Sequence, residues 1–151
     1  MNKLFLFALF VTSCCVANAQ VLKEADVPPA VKAKFISLYP ARPEVKWEKE
    51  KTMYEAEFIQ NKIETSVLFE ANGTMVQTET EIPVSALPKA VTDYITKNLA
   101  GKKINEAAKV TDAKGKITYE AEVGKVDYLF DENGNFISKE EDNEDDEDDA
   151  R

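Results

Sequence analysis

One four-residue word occurs twice in this chain, as Tyr54-Glu55-Ala56-Glu57 and as Tyr119-Glu120-Ala121-Glu122. Each copy lies between the same two landmarks. Upstream stand Val27-Pro28-Pro29-Ala30-Val31 and Leu87-Pro88-Lys89-Ala90-Val91; downstream stand Leu68-Phe69-Glu70-Ala71-Asn72-Gly73 and Leu129-Phe130-Asp131-Glu132-Asn133-Gly134. The upstream, central and downstream landmarks recur after 60, 65 and 61 residues. Landmarks that keep their order while their spacing drifts imply two copies of one unit whose loops differ in length. A unit of about 60 residues buries a small fraction of its surface, so the copies are expected to share a core or one continuous sheet.

Within each copy the hydrophobic period changes once. Proline is preorganised for the first helical position, so a helix is expected from near Pro28, with Val31, Phe35, Leu38 and Tyr39 as its apolar stripe and Pro40 and Pro43 ending it. In the second copy Val91, Ile95 and Leu99 form the stripe, Thr92, Asp93 and Thr96 face water, and Gly101 stops the helix. Beyond each helix the alternation becomes period two: Val45 and Trp47, then Tyr54, Ala56 and Phe58, then Ile63, Thr65, Val67 and Phe69, then a threonine-rich strand from Thr74 to Ile82. The second copy gives strands at Ile104 to Val110, Ile117 to Val123, Val126 to Phe130 and Asn135 to Lys139, with a turn at Lys114-Gly115. Asn72-Gly73 and Asn133-Gly134 are tight-turn pairs, because both positions of such turns favour positive φ. The fold class is therefore α+β, a tandem repeat of one helix plus a four-stranded antiparallel meander. A single helix covers one face of each meander and leaves the other wet or covered by a partner.

The ends of the chain carry a different message. Met1-Asn2-Lys3, the apolar run Leu4 to Val11 and Ala17-Asn18-Ala19 read as a secretory signal cleaved before Gln20. A second reading takes Val11-Thr12-Ser13-Cys14 as a lipobox, with Cys14 lipidated. The apolar run is shorter than the ~20 residues that span a bilayer. Expected segments are 1–19 as signal peptide, 20–82 and 83–139 as the two repeats, and 140–151 as a disordered acidic tail. Glu140 to Arg151 holds nine acids against one arginine, which leaves the folded body nearly neutral and argues against a nucleic-acid partner. Cys14 and Cys15 are the only cysteines and histidine is absent. Cleavage at Ala19 thus removes every thiol, and with it disulfides, a cysteine nucleophile and thiolate metal sites.

These landmarks resemble the beta-lactamase-inhibitor-like, PepSY-like domains common in secreted Bacteroidetes proteins. The likeness rests on Leu87-Pro88-Lys89-Ala90-Val91, the doubled Tyr-Glu-Ala-Glu and the Leu-Phe-acidic-x-Asn-Gly turns, and extends over residues 22 to 139. It implies a non-catalytic module of the periplasm or the exterior, of a kind suspected of restraining peptidases. It transfers no inhibitory residue onto a position of this chain.

From the residues themselves, Glu55, Glu57, Glu120 and Glu122 place two carboxylates on one face of equivalent strands. They read as a solvated face with cross-strand lysines such as Lys46 and Lys116, and they are the candidate partner-binding residues. Asp131-Glu132-Asn133-Gly134-Asn135 has the look of a calcium loop but lacks the closing glutamate, so it reads as a hairpin turn. Trp47, Tyr54, Tyr119 and Tyr128 fall in phase with core positions. No catalytic, cofactor or metal residue is assigned. The function expected is a secreted non-enzymatic module that binds a protein or peptide through the sheet face away from the helices. Rival readings are a carrier of a small apolar ligand, weak divalent-cation binding by the acidic tail, and a hydrolase working with carboxylates alone.

Overall fold

The structure is a computed structural model that describes residues 20–41 and 43–141. The expected signal segment and the acidic run from Asp142 onward lie outside the described residues. Strand β1 (Gln20–Leu22) leads to helix α1 (Pro29–Leu38) and to β2 (Val45–Glu50), β3 (Met53–Gln60), β4 (Ile63–Glu70) and β5 (Met75–Glu81). Helix α2 (Lys89–Asn98) follows, with β6 (Glu106–Asp112), β7 (Ile117–Glu122), β8 (Val126–Asp131) and β9 (Phe136–Glu141). The described strands form one antiparallel sheet in chain order, and β5 pairs with β6 through Gln77↔Asp112 and Thr80↔Lys109 although α2 intervenes. The sheet is thus continuous across the two halves, while the cores are separate.

Each helix packs on one face of its own four strands. Val31 and Phe35 are buried with Trp47, Ala56, Phe58, Val67 and Phe69, and the Phe35 ring meets Trp47 and Phe58 edge-on at centroid distances of 5.4 and 5.2 Å. Val91 and Ile95 are buried with Ala107, Ala121, Tyr128 and Phe130. Leu38 departs from the expected stripe and is 38% exposed. It is the last residue of α1, and Tyr39, leaving helical geometry, packs its ring on Phe35 and Phe58 in its place. In α2 the unanticipated contact is Tyr94, stacked on Phe136 at 4.8 Å and edge-on to Phe130 at 5.3 Å.

Two of the sequence landmarks meet in space. A Cβ on Gly73 would lie 2.6 Å from the carbonyl oxygen of Ala30, and one on Gly134 would lie 2.8 Å from Ala90 Cβ. Each Asn-Gly turn therefore tucks under the proline-marked start of its helix. The turns differ from the two-residue type expected, because only Gly73 and Gly134 have positive φ, at 87° and 81°. Their register shifts by one residue, between Leu68 and Phe69 and between Leu129 and Phe130. Each turn is a three-residue loop closed by a glycine bulge, with Gly73 N–H donating to the Glu70 carbonyl and Gly134 N–H to that of Asp131, and the register shift is a second bulge at Val76 and Ile137. Strand β9 runs to Glu141, so Glu140 and Glu141, expected in the tail, are strand residues.

Candidate functional site: the acidic inner face of the sheet

Cross-strand partners share a face. On the side away from the helices, one row runs Glu48↔Glu55↔Leu68↔Gln77↔Asp112 and the next runs Lys46↔Glu57↔Ser66↔Glu79↔Val110↔Thr118. A third joins Glu81, Ala108, Glu120, Leu129 and Ser138, and a fourth joins Glu106, Glu122, Asp127 and Glu140. Among the described residues no helix covers these rows, yet Glu48, Glu55, Leu68 and Leu129 are buried, and Glu79 and Glu120 are each only 5% exposed. Curvature accounts for this. Glu50 on β2, next to the edge strand β1, and Glu140 on the far edge strand β9 repel one another, as do Glu79 on β5 and Asp127 on β8. The sheet curls around this face, and side chains that a flat sheet would leave in water are enclosed.

Enclosure changes the chemistry of the carboxyls. Burial pushes Glu55 well above the ordinary range, against the smaller opposing effect of Ser66 nearby. Burial, then repulsion from Asp127 and Glu64, raises Glu79 to about 8. Glu120 is raised well above its ordinary value by burial first and by Glu79 and Asp127 next. Glu50, Glu64 and Glu140 are pushed the same way by burial. A charged form deprived of water and placed among like charges takes up a proton.

The four glutamates singled out by the sequence divide in two. Glu55 and Glu120 are buried, which corrects the expectation of a solvated face, while Glu57 and Glu122 are half-buried. Lys46 Nζ stands 3.0 Å from Glu57 Oε2 and 2.8 Å from Glu48 Oε1. Burial works against the Lys46 charge, and these two carboxylates outweigh it, raising its pKa. Lys116, the other expected partner, instead donates its backbone N–H to Asp112 Oδ1 at 2.8 Å. Glu122 accepts a hydrogen bond from Asn105 Nδ2 at 3.0 Å. Where Lys46 faces Glu57, the second half places Glu106 opposite Glu122. The two halves thus share strand positions and differ in how charge on this face is met.

In the second half the face opens into a cavity of about 250 Å³, with Glu79, Glu120 and Leu129 buried in its lining and the exposed Lys116 at its rim. Gln77, Val110, Asp112, Thr118, Tyr119 and Ile137 complete the walls. Glu120 Oε2 is buried without a hydrogen-bond partner. Sequence reasoning missed Glu79, whose signal was its place in phase with Gln77 and Glu81 on a threonine-rich strand. Among the described residues no group of three or more acidic side chains could hold a metal ion. The Asp131 carboxylate is engaged by its own turn, accepting from the backbone N–H groups of Asn133 and Asn135 at 2.9 and 2.8 Å. Trp47 and Tyr128 are buried in the cores under the helices, with Tyr54 and Tyr119 packed against them.

A family described as "Putative beta-lactamase-inhibitor-like, PepSY-like" matches residues 15–77 and again 52–138. The chain belongs to that family. Among solved structures, this PepSY-like chain is similar to one from Bacteroides eggerthii described as a putative periplasmic protein. The identity is 20%, over 76% of this chain and 88% of that one, with a TM-score of 0.68. It is similar also to a BLIP-like protein from Bacteroides fragilis, at 26% identity over 76% of this chain and 86% of that one, with a TM-score of 0.58. None of the curated proteins compared matches the chain. Among the described residues no helix is long and apolar enough to cross a membrane.

Proposed function

We propose that the protein is a non-enzymatic binding module of the periplasm or the cell exterior, which recognises a protein or peptide through the curled inner face of its sheet. In this reading residues 1–19 are a signal peptide, 20–82 and 83–139 are two copies of one helix-and-meander unit, and the residues past the last strand are a solubilising acidic tail. The carrying observation is the enclosure of Glu55, Glu79 and Glu120 on a face that no element among the described residues caps. Buried carboxyls whose charged form is disfavoured destabilise a fold, and a face that retains them fits a role outside the chain. The family's inhibitor-like description fits a module that restrains another envelope protein, a peptidase being one target.

Two rival readings fit less well. A carrier of an apolar ligand needs space between helices and sheet, and that region is filled by the two aromatic and aliphatic clusters. A carboxylate hydrolase needs one acid protonated and its partner ionised. Here Glu79 and Glu120 are both pushed toward the protonated form, and Asp112, held ionised chiefly by the Lys116 backbone N–H, is engaged in its own turn.

The test is affinity capture from envelope extract with immobilised residues 20–151, beside a Glu57→Lys/Glu122→Lys double variant that reverses charge at half-exposed positions. A protein retained by the wild type, still retained without residues 142–151 and lost by the double variant supports the inner face. Retention that ignores the double variant and disappears with the tail overturns it.

A further inference from the structure

We propose that the cavity between Glu79 and Glu120 receives the side chain of a lysine carried by the protein partner. The inference rests on the reading of the inner face given above and deepens it. The cavity, about 250 Å³, falls below the ~300–1,000 Å³ typical of pockets for drug-sized ligands and suits one long side chain. Its composition is that of a lysine's complement. Val110, Leu129 and Ile137 offer apolar wall for a methylene stem, and Glu79 and Glu120 offer oxygen acceptors for an ammonium. Glu120 Oε2, enclosed and without a partner, is an acceptor waiting for a donor. A bare metal ion would leave the apolar wall unused, and the acids among the described residues do not converge as metal ligands.

The first half of the chain supplies the precedent. There Lys46 stands within 3.0 Å of two carboxylates on the same face, and the second half has Glu106 at the register position of that lysine. The first half brings a lysine of its own to this face; in the second half Glu79 and Glu120 line the cavity, and they are the carboxyls offered to an incoming cation. Within the cavity lining, Asp112 is held in its ionised form by the backbone N–H groups of Lys116 and Lys114, so the mouth keeps a negative charge beside Lys116.

Methyl-resolved NMR of residues 20–151 tests the proposal with defined probes: acetyl-Gly-Lys-Gly-amide, the same peptide acetylated on Nε, pentylamine, and calcium chloride. The lysine peptide should shift the methyl signals of Val110, Leu129 and Ile137, and the Nε-acetylated peptide should not. Glu120→Gln should weaken the lysine peptide at least tenfold, and Glu79→Gln should do the same, while Asp93→Asn, on the exposed side of α2, should change it less than twofold. Both cavity variants keep the shape of a protonated carboxyl, and their spectra report folding directly.

Affinity should also rise between pH 6 and 9, because the receiving carboxyls must release protons. Glu120 faces Glu79, Asp127, Glu140 and Glu122; Glu79 faces Asp127 and Glu64; Lys116 is the cation at the rim. Equal shifts from the acetylated peptide overturn the proposal, as does the absence of any shift at tens of millimolar peptide. Cavity shifts with calcium but not with peptide overturn it in favour of a cation site, and pentylamine binding tenfold tighter than the peptide overturns it in favour of a free amine. A partner held with full affinity by Glu120→Gln yet lost by Glu57→Lys/Glu122→Lys removes the lysine inference and leaves the inner-face reading standing.

Discussion

The two faces of the sheet are built from the same strands and differ in what burial does to them. On the helix side Trp47, Ala56, Phe58, Val67 and Phe69 gain from leaving water, and aromatic edges on Phe35 add packing that fixes one arrangement. On the inner side Glu55, Glu79 and Glu120 leave water just as completely, and burial drives them toward the neutral acid. The helix side is where the fold is stabilised, and the inner side is where stability has been given up. A substitution that removes side-chain volume should therefore hurt on the first face, and one that removes charge should help on the second.

The largest effect expected is Phe35→Ala, which empties the space between α1 and the rings of Trp47, Phe58 and Tyr39. It should lower stability by about 3–5 kcal/mol in urea denaturation, and a loss below about 1 kcal/mol would break the assignment of that face as the core. A matched pair of glycine variants comes next. Gly73→Ala and Gly115→Ala both force alanine into positive φ, at 87° and 82°, but only the first drives a Cβ to 2.6 Å from the Ala30 carbonyl. Strain common to both should cost about 1 kcal/mol, and the collision should bring Gly73→Ala to about 2–4 kcal/mol. Equal losses would mean that the turn does not bear on the helix.

On the inner face the sign reverses. The folded-state pKa of Glu79 lies above its ordinary value, at about 8, so the folded protein holds that proton more tightly than the unfolded chain does. The associated stability is complete below the ordinary carboxyl range near 4.5 and is lost as pH climbs toward 8. Glu55 and Glu120 act in the same direction. The wild type should accordingly be more stable at pH 5 than at pH 8. Glu79→Gln should match it near pH 4.5 and exceed it by about 1–3 kcal/mol at pH 8. Thermal melts that show the wild type gaining stability from pH 5 to 8 would contradict the burial of these carboxyls.

What the sequence disclosed and what it concealed follows from the range of the interactions. The alternation of Trp47, Ala56 and Phe58 and the stripe of Val91 and Ile95 are local periodicities, and they locate the core side of each element. The landmarks around Pro28 and Gly73 could be seen to recur; that they touch could not, because contact between a turn and a helix start some forty residues apart leaves no periodic trace. The hairpin at Asn61-Lys62 was silent for another reason, since both residues take positive φ without a glycine to announce it. The inner face was misread for the most general reason. Alternation says that Glu55 and Glu120 point away from the helices, and only the curl of the whole sheet decides that pointing away means being enclosed. Glu79 carried no motif at all, and its position beneath the cavity depends on the pairing of β5 with β6 across the two halves.

The smallest effect expected belongs to the acidic run. Asp142 to Arg151 contains seven acids, one arginine and no large apolar side chain, so it has nothing to contribute to either face through packing. Its one route of influence is charge, since it continues from β9, where Glu140 already lies near Glu120 and Glu50. Deleting residues 142–151 should change stability by less than about 0.5 kcal/mol at physiological salt and should move the isoelectric point upward from the sequence value of 4.7. Whatever difference exists at low ionic strength should fade as the Debye length shrinks to ~8 Å near 0.15 M salt. The gain from Glu79→Gln at pH 8 should persist through the same salt series, because the group is enclosed and its penalty is chiefly lost hydration rather than long-range repulsion. A salt series in which both effects decay together would place Glu79 in solvent and erase the distinction between the two faces.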